Sequence, residues 1–312
     1  MKIFVIQKEY QIVSFKKIHI PKIMNLYNLA YNREKPLKTF NYKLGKTPYG
    51  NPIGYLMKYK KIIVGFYVII PIVIKLKNKK VMGGLSVLTM THPEHQRKGI
   101  FKKLAKKTYN TAKKRGYKFV VSFSVNKNSV DGFKKLGFVT EPIYHRNIFS
   151  RNKKIDKYPT LFENKFPNEI EKLWEYFESK NEFNIQPFKN KKYFDWRYIK
   201  NPTKYYTIFQ KGKYFIILKK YRGILNIVDF FGNVSDLNKK IIDIAIKEAK
   251  RMNCHEITTW WPNTKNLKID KSMSKKIKTP NYFVIKKIDS NLTSEILELR
   301  KWYFTMADSD IF

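Results

Sequence analysis

From Gln96 to Lys102 the chain reads QRKGIFK: an amide side chain, two adjacent cations, a glycine and a further lysine, directly before a run of helical periodicity. That combination suits a phosphate group. Phe101, Leu104, Ala105, Tyr109 and Ala112 recur at helical spacing between lysines, which starts a helix beside Gly99. The first amides of a helix lack intrahelical partners, the helix dipole favours negative charge there, and glycine lets the backbone approach an anion closely. A second chemical feature is Asp229, the one acid in the apolar stretch NIVDFF. A carboxylate in such a strand can serve as a general base near neutral pH, although a hydrogen-bonded aspartate at a strand end fits the same pattern. His92, Glu94 and His95 are metal-ligand types, but they lie in the phosphate turn beside Lys98, where a bound cation would be repelled, so no metal is expected.

Elements must hold these groups in place. Ile20–Tyr31 carries apolar residues at helical spacing and predicts a helix, followed by a polar Gly- and Pro-bearing segment, Arg33–Pro52, long enough to cover an acceptor site. Strands are expected at Gly54–Lys58, Ile62–Lys75 and Val81–Thr91, then the helix after Gly99, a strand at Phe119–Val125, a short helix at Ser129–Leu136 and a strand at Phe138–Phe149. Ser150–Tyr158 is charged and aperiodic and reads as a linker. Beyond it come a helix at Asn168–Phe177, strands at Tyr205–Gln210, Tyr214–Lys220 and Leu225–Phe231, and a strongly amphipathic helix at Asp236–Met252. Strands at Glu256–Trp261 and Tyr282–Ile288 and a helix at Thr293–Trp302 close the pattern. The reading is α/β, with a mixed sheet in each half and two domains, 1–150 and 151–312.

Composition limits the partners. The 312 residues hold 64 Lys and Arg against 24 Asp and Glu, a formal net charge of +40. Arginine occurs at only nine positions, so lysine carries nearly all of the charge and is spread along the chain rather than gathered in one stripe. Recognition surfaces enrich arginine, so the charge reads as mostly solvated and no specific nucleic acid is expected, although a basic field attracts anionic substrates. One cysteine, Cys254, excludes an internal disulfide. The longest apolar run, Ile62–Ile74, falls short of the roughly 20 residues of a membrane helix and carries Gly65 and Pro71. A soluble cytoplasmic protein is expected; its oligomeric state is not legible.

The stretch THPEHQRKGIFKKL resembles motif A of the GNAT superfamily of acyl-CoA-dependent N-acyltransferases, whose signature is Gln/Arg-x-x-Gly-x-Gly/Ala. Gln96 and Gly99 fill the first and fourth positions, while Phe101 replaces the small sixth residue. YKFVVSFSVNKNSVDGFKKLGF, Tyr117–Phe138, is similar to the next strand, the Asn-bearing splay segment and the short helix of the same family. The resemblance covers roughly residues 50–150 and implies a GNAT fold binding acetyl-CoA as co-substrate. Pantetheine then maps onto Thr89, Met90 and Thr91, and the pyrophosphate onto Gln96, Arg97, Lys98, Gly99, Ile100 and Phe101, with Lys102 in reach. Asn126 and Asn128 match the segment bordering the cofactor. The second half resembles a degenerate GNAT copy, because FFGNVSDLNKK lacks the motif and puts Asp236 where a phosphate would sit. Its DWRY (Asp195–Tyr198) and MADSD (Met306–Asp310) resemble segments of two-lobed bacterial acyltransferases.

Three functions fit. The first is transfer of an acetyl group to the primary amine of a small polar acceptor, such as an amino sugar or a nucleotide-linked amino sugar. The second is a two-lobed peptidyl or aminoacyl transferase using charged tRNA, and the third a non-catalytic acyl-CoA-binding module. The acid is the weak point of the first, because the family's tyrosine position aligns with Phe133. Tyr144 and His145 are then the nearest proton donors, and Asp229 is the expected base.

Overall fold

The computed structural model describes residues 9–148, 162–163, 166–167, 169–181, 183–260 and 274–310. The first half builds an antiparallel meander of β1 (Tyr10–Ser14), β2 (Ile53–Tyr59), β3 (Ile62–Leu76) and β4 (Lys79–Thr91). Its long central strands succeed because β-branched residues fill both buried faces; of β3, Val64, Tyr67, Val68 and Ile69 are fully buried. The chain then crosses through α3 (Ile100–Lys114) and adds β5 (Phe119–Asn126) parallel to β4. Between β1 and β2 it forms α1 (Ile20–Tyr31) and a helix not foreseen from the sequence, α2 (Leu37–Lys43). After β5 come α4 (Lys127–Lys134) and β6 (Val139–Ile148).

The second half repeats the plan. The short β7 (Phe162–Glu163), α5 (Ile170–Lys180), β8 (Ile185–Pro187) and α6 (Lys191–Phe194) precede β9 (Tyr206–Gln210), β10 (Tyr214–Tyr221) and β11 (Ile224–Gly232). Next, α7 (Val234–Arg251) crosses to β12 (Glu256–Thr259), which pairs parallel to β11. The last strand, β13 (Ser274–Lys287), starts eight residues before the expected Tyr282. The predicted helix at Thr293–Trp302 is instead two single-turn 3₁₀ segments, Ser294–Leu297 and Leu299–Lys301. There Trp302 folds inward, its indole N–H donating to the Ile296 carbonyl at 2.8 Å.

The sheet does not stop where the halves meet. Its order runs β1-β2-β3-β4-β5-β13-β6-β12-β11-β10-β9-β7, with β8 on β3. Thus β13 lies between β5 and β6, while β6 lies between β13 and β12, so each half lends a strand to the other. One apolar core follows this continuity. It joins Ile23, Phe66 and Phe123 of the first lobe to Phe177, Phe231 and Trp302 of the second, and a smaller core lies under α3. Pairing Phe119–Asn126 with Lys287–Asn281 satisfies backbone groups that would otherwise be a bare edge.

This exchange has a consequence for any fragment. A chain ending at residue 150 keeps the entire meander but leaves facing edges of β5 and β6 open, so it is expected to aggregate or bind hydrophobic dyes. Size-exclusion chromatography and near-ultraviolet dichroism check this; a monomeric fragment that unfolds cooperatively would show β13 to be dispensable to the first lobe.

Candidate active site

The site begins where two parallel strands part. β4 and β5 pair only through Gly83–Leu85 and Phe119–Val121. Past that point β4 carries a bulge, since Phe66 pairs with Met90 and Val68 with Val87, leaving Leu88 and Thr89 opposite Tyr67 alone. Leu88 takes φ 48° to make it, a conformation a leucine adopts only under constraint. The backbone groups of this free stretch are the place for an amide-bearing chain to add hydrogen bonds, so the splay fits a pantetheine arm. Leu85–Thr89 line the cavity described below, whereas Met90 and Thr91, also assigned to pantetheine, remain paired with Phe66 and Gly65.

The phosphate turn follows at once. His95 ends a single 3₁₀ turn that His92 caps and is buried, its Nδ1 2.8 Å from the Tyr10 hydroxyl, while Gln96, Arg97, Lys98 and Gly99 are exposed. Arg97 and Gly99 both have positive φ, 60° and 73°, which turns the chain sharply into α3. Gly99 is its N-cap and contributes no capping side chain, so the first amides, those of Ile100, Phe101 and Lys102, stay open to an anion. Nothing lies within 4 Å of where a Cβ of Gly99 would be. The residues present therefore fit a pyrophosphate. Phe101 does not block it, because its ring packs inward on Tyr67 and Phe133 at 5.6 and 5.3 Å between centroids. Gly132 makes room for that ring, since a Cβ there would stand 3.0 Å from it. His92, Glu94 and His95 do bring ligand atoms within 4.8 Å of one another, with His95 already engaged by Tyr10.

The second lobe closes its corresponding turn. Asn233 caps α7 with its side chain, accepting from the amides of Ser235 at 3.0 Å and Asp236 at 3.3 Å. A helix start already capped, with Asp236 in its first turn, repels a phosphate where α3 attracts one.

Between the lobes lies a cavity of about 990 Å³. The first lobe supplies the splayed end of β4, Ser122 and Phe123 of β5, Phe133 of α4, and Tyr27, Tyr31, Arg33, Lys35 and Lys43 from the segment between β1 and β2. The second supplies Trp196 and Arg197 from a π-helical turn, Lys219, Tyr221 and Arg222 from β10 and the following turn, and Asp308–Asp310. Tyr42 stacks on Trp196 across the junction, with centroids 5.5 Å apart and planes at 20°. The polar segment that begins at Arg33 thus lines this cavity, through Glu34, Thr39 and Tyr49 among others.

Asp229 is elsewhere. Its side chain has no exposure and does not line the cavity; it forms an ion pair with the equally buried Lys189 at 2.8 Å and accepts from the Tyr198 hydroxyl at 2.6 Å and Thr305 Oγ1 at 3.0 Å. Such enclosure gives it a structural part, correcting the expectation that it meets the acceptor amine. It is the centre through which DWRY meets MADSD: Tyr198 binds it directly, while Arg197 Nε donates to the Ala307 carbonyl at 2.6 Å. Tyr144 and His145 do not reach the cavity either. Tyr144 is exposed with Lys276 Nζ 4.0 Å over its ring, and burial holds His145 down to about 4, so it is neutral at ordinary pH. The side chains of Asn126 and Asn128 lie outside the described residues.

One residue the sequence did not single out stands at the splay. The Tyr31 hydroxyl donates to the Thr89 carbonyl at 2.6 Å, and the residue, 41 % exposed, lines the cavity. Burial of the hydroxyl, and then the charge of Asp310, push this phenol up to about 12, so it keeps its proton at neutral pH. Its only sequence signal was helical phase, placing it at the end of α1 next to the covering segment.

Residues 11–139 match the acetyltransferase (GNAT) domain family. No curated protein matches the chain. Among solved structures, it is similar to a probable N-acyltransferase from Enterococcus faecalis V583, with TM-score 0.68 and 10 % identity, over 90 % of this chain and 73 % of that one. A tandem GNAT protein from the clavulanic acid biosynthesis pathway superimposes with TM-score 0.58 and 9 % identity, over 91 % of this chain and 100 % of that one. Saccharomyces cerevisiae N-myristoyltransferase with bound myristoyl-CoA gives TM-score 0.58 and 13 % identity, over 89 % of this chain and 78 % of that one. At these identities the likeness is one of fold, and it extends through both lobes.

Two substitutions test these assignments. Gly99→Glu puts a carboxylate at the open helix start and an L-residue at positive φ, a strain of roughly 1–2 kcal/mol; calorimetry is expected to show acetyl-CoA binding lost with the fold retained, and unchanged affinity would misplace the phosphate turn. Asp229→Asn leaves Lys189 charged and buried without its close partner, at a cost on the order of 3 kcal/mol. Urea unfolding is expected to show that loss; a fully stable variant with turnover reduced a hundredfold would instead return Asp229 to the chemistry.

Proposed function

We propose, for a chain whose residues 11–139 are a GNAT acetyltransferase domain and which is accordingly an acyl-CoA-dependent N-acyltransferase, that it moves an acetyl group from acetyl-CoA to the primary amine of a small polar acceptor held between its lobes. The observation that carries this reading is the coincidence of three features: an open phosphate turn, a splayed β4 end and an inter-lobe cavity that the splay enters. Acetyl-CoA supplies the thioester carbonyl. Amine attack forms the N–C bond and breaks the C–S bond, so one proton must leave the amine and one must reach the departing sulfur.

The protein's groups divide these tasks. Thr89 ends the segment assigned to pantetheine on the side away from the phosphate turn, so a hydroxyl bonded to its carbonyl stands at the thioester end. Tyr31 is protonated there and takes the place of the donor missing at Phe133, which faces the same cavity without a hydroxyl. Among the described residues, the carboxylates lining the cavity are Glu34, Asp308 and Asp310. Burial, before the opposing charge of Lys189, raises Asp308 above the ordinary carboxylate range, while Asp310, 21 % exposed in its side chain, is the more accessible to an amine. We assign proton removal to Asp310. The aromatic walls given by Tyr27, Tyr42, Tyr49 and Trp196 suit the flat faces of a sugar ring, which supports an amino sugar or nucleotide-linked amino sugar as acceptor.

A transferase using charged tRNA receives less support, because such a reading leaves the open phosphate turn without a role. Tyr31→Phe is the discriminating variant. It is expected to keep acetyl-CoA affinity and lose roughly 10²–10⁴-fold in turnover, the usual worth of a positioned acid. Unchanged turnover would leave thiolate protonation to solvent.

A further inference from the structure

We infer that the acceptor carries an anionic group, a carboxylate or a phosphate, beside its amine, and that Lys35, Lys43, Lys219 and Arg197 form the subsite that holds it. This rests on the proposed inter-lobe acceptor site and narrows its substrate class. The four cations come from four separate places in the chain: the turn after α1, the end of α2, strand β10 and the π-helical turn. All four line the one cavity.

The general lysine excess of this chain cannot explain that convergence. Scattered surface lysines point into water, where repulsion is screened within about 8–10 Å. These do not: Arg197 is buried, and Lys35, Lys43 and Lys219 are half-buried. Burial, with Arg197, Lys43 and Lys35 as near like charges, pushes Lys219 down to about 8. Burial likewise lowers Lys35 and Lys43. Lys43 pairs with Asp310, and Arg197 donates to the Ala307 carbonyl and the Tyr205 hydroxyl. A fold that gathers positive charge in a partly desolvated wall is stabilised when an anion enters. Nor is this the cofactor's pyrophosphate site, since the Gln96–Phe101 turn contributes nothing to the cavity lining.

The test uses the full chain, first saturated with acetyl-CoA so that the phosphate turn is filled. Inorganic phosphate and acetate are titrated separately by calorimetry into the wild type and the Lys35→Gln/Lys219→Gln double variant, at constant ionic strength. At least one ion is expected to bind the wild type and to bind the variant at least tenfold more weakly, and which ion does so distinguishes phosphate from carboxylate. The same ion should inhibit transfer competitively against the amine and not against acetyl-CoA. The inference is overturned if neither ion binds the wild type, if both proteins bind equally, or if the variant loses acetyl-CoA affinity in parallel. Should the double variant fail to fold, the wild-type titration and the inhibition pattern decide. Failure of acetyl-CoA itself to bind would count against the transferase reading; the ion titration without it would still report on the cation cluster.

Discussion

The architecture depends on holding two parallel strands apart. Once β4 and β5 diverge after Leu85 and Val121, the backbone groups on their facing edges have no ladder partner, and a sheet left to itself would close over them. It stays open because each strand is fixed on its other edge. β4 is bonded to β3 as far as Thr91, with the bulge at Leu88 absorbing the extra residue, and β5 is bonded to β13 as far as Asn126. Tyr31 adds a clamp from α1 onto the Thr89 carbonyl. The gap is thus a product of pairings made elsewhere.

The second lobe takes part in holding this gap. Its final strand, β13, anchors β5, and its π-helical turn and C-terminal segment complete the cavity wall. The two are tied together by the buried Lys189–Asp229 pair with Tyr198 and Thr305. A buried pair of this kind adds little net stability relative to an apolar replacement, but removing one member leaves an unmatched charge. Its effect is therefore to fix how the DWRY and MADSD segments meet, and so where Arg197, Asp308 and Asp310 stand. The two lobes differ at the corresponding helix start: Asn233 caps α7, whereas Gly99 leaves α3 uncapped.

Much of the fold was legible. The spans of α1, β3, α3, β10 and α7 agree with apolar periodicity to within a few residues, since burial on one face or two is written directly in the order of residue types. The short α2, β8 and α6 were not, being too brief to show a period. The 3₁₀ turns at Ser294–Lys301 carried helix-like composition, but Trp302 is drawn into the core by Phe119, Phe123 and Phe283, and packing overrode propensity.

The turn before α3 was legible for the same local reason: a helical period, a glycine and the absence of a capping side chain are neighbours in the chain, so the sequence alone determined that an uncapped helix start follows Gly99. Asp229 was misjudged on equally local grounds. An acid in an apolar strand reads the same whether it faces a substrate or a buried lysine, and Lys189, Tyr198 and Thr305 lie 40, 31 and 76 residues away. Likewise, no spacing rule brings Lys35, Lys43, Arg197 and Lys219 to one cavity, or sets Tyr31 against Thr89. Those meetings were decided only by the tertiary structure, because they are fixed by the strand exchange and the packing of two lobes, and contacts between distant segments leave no periodic trace in the chain.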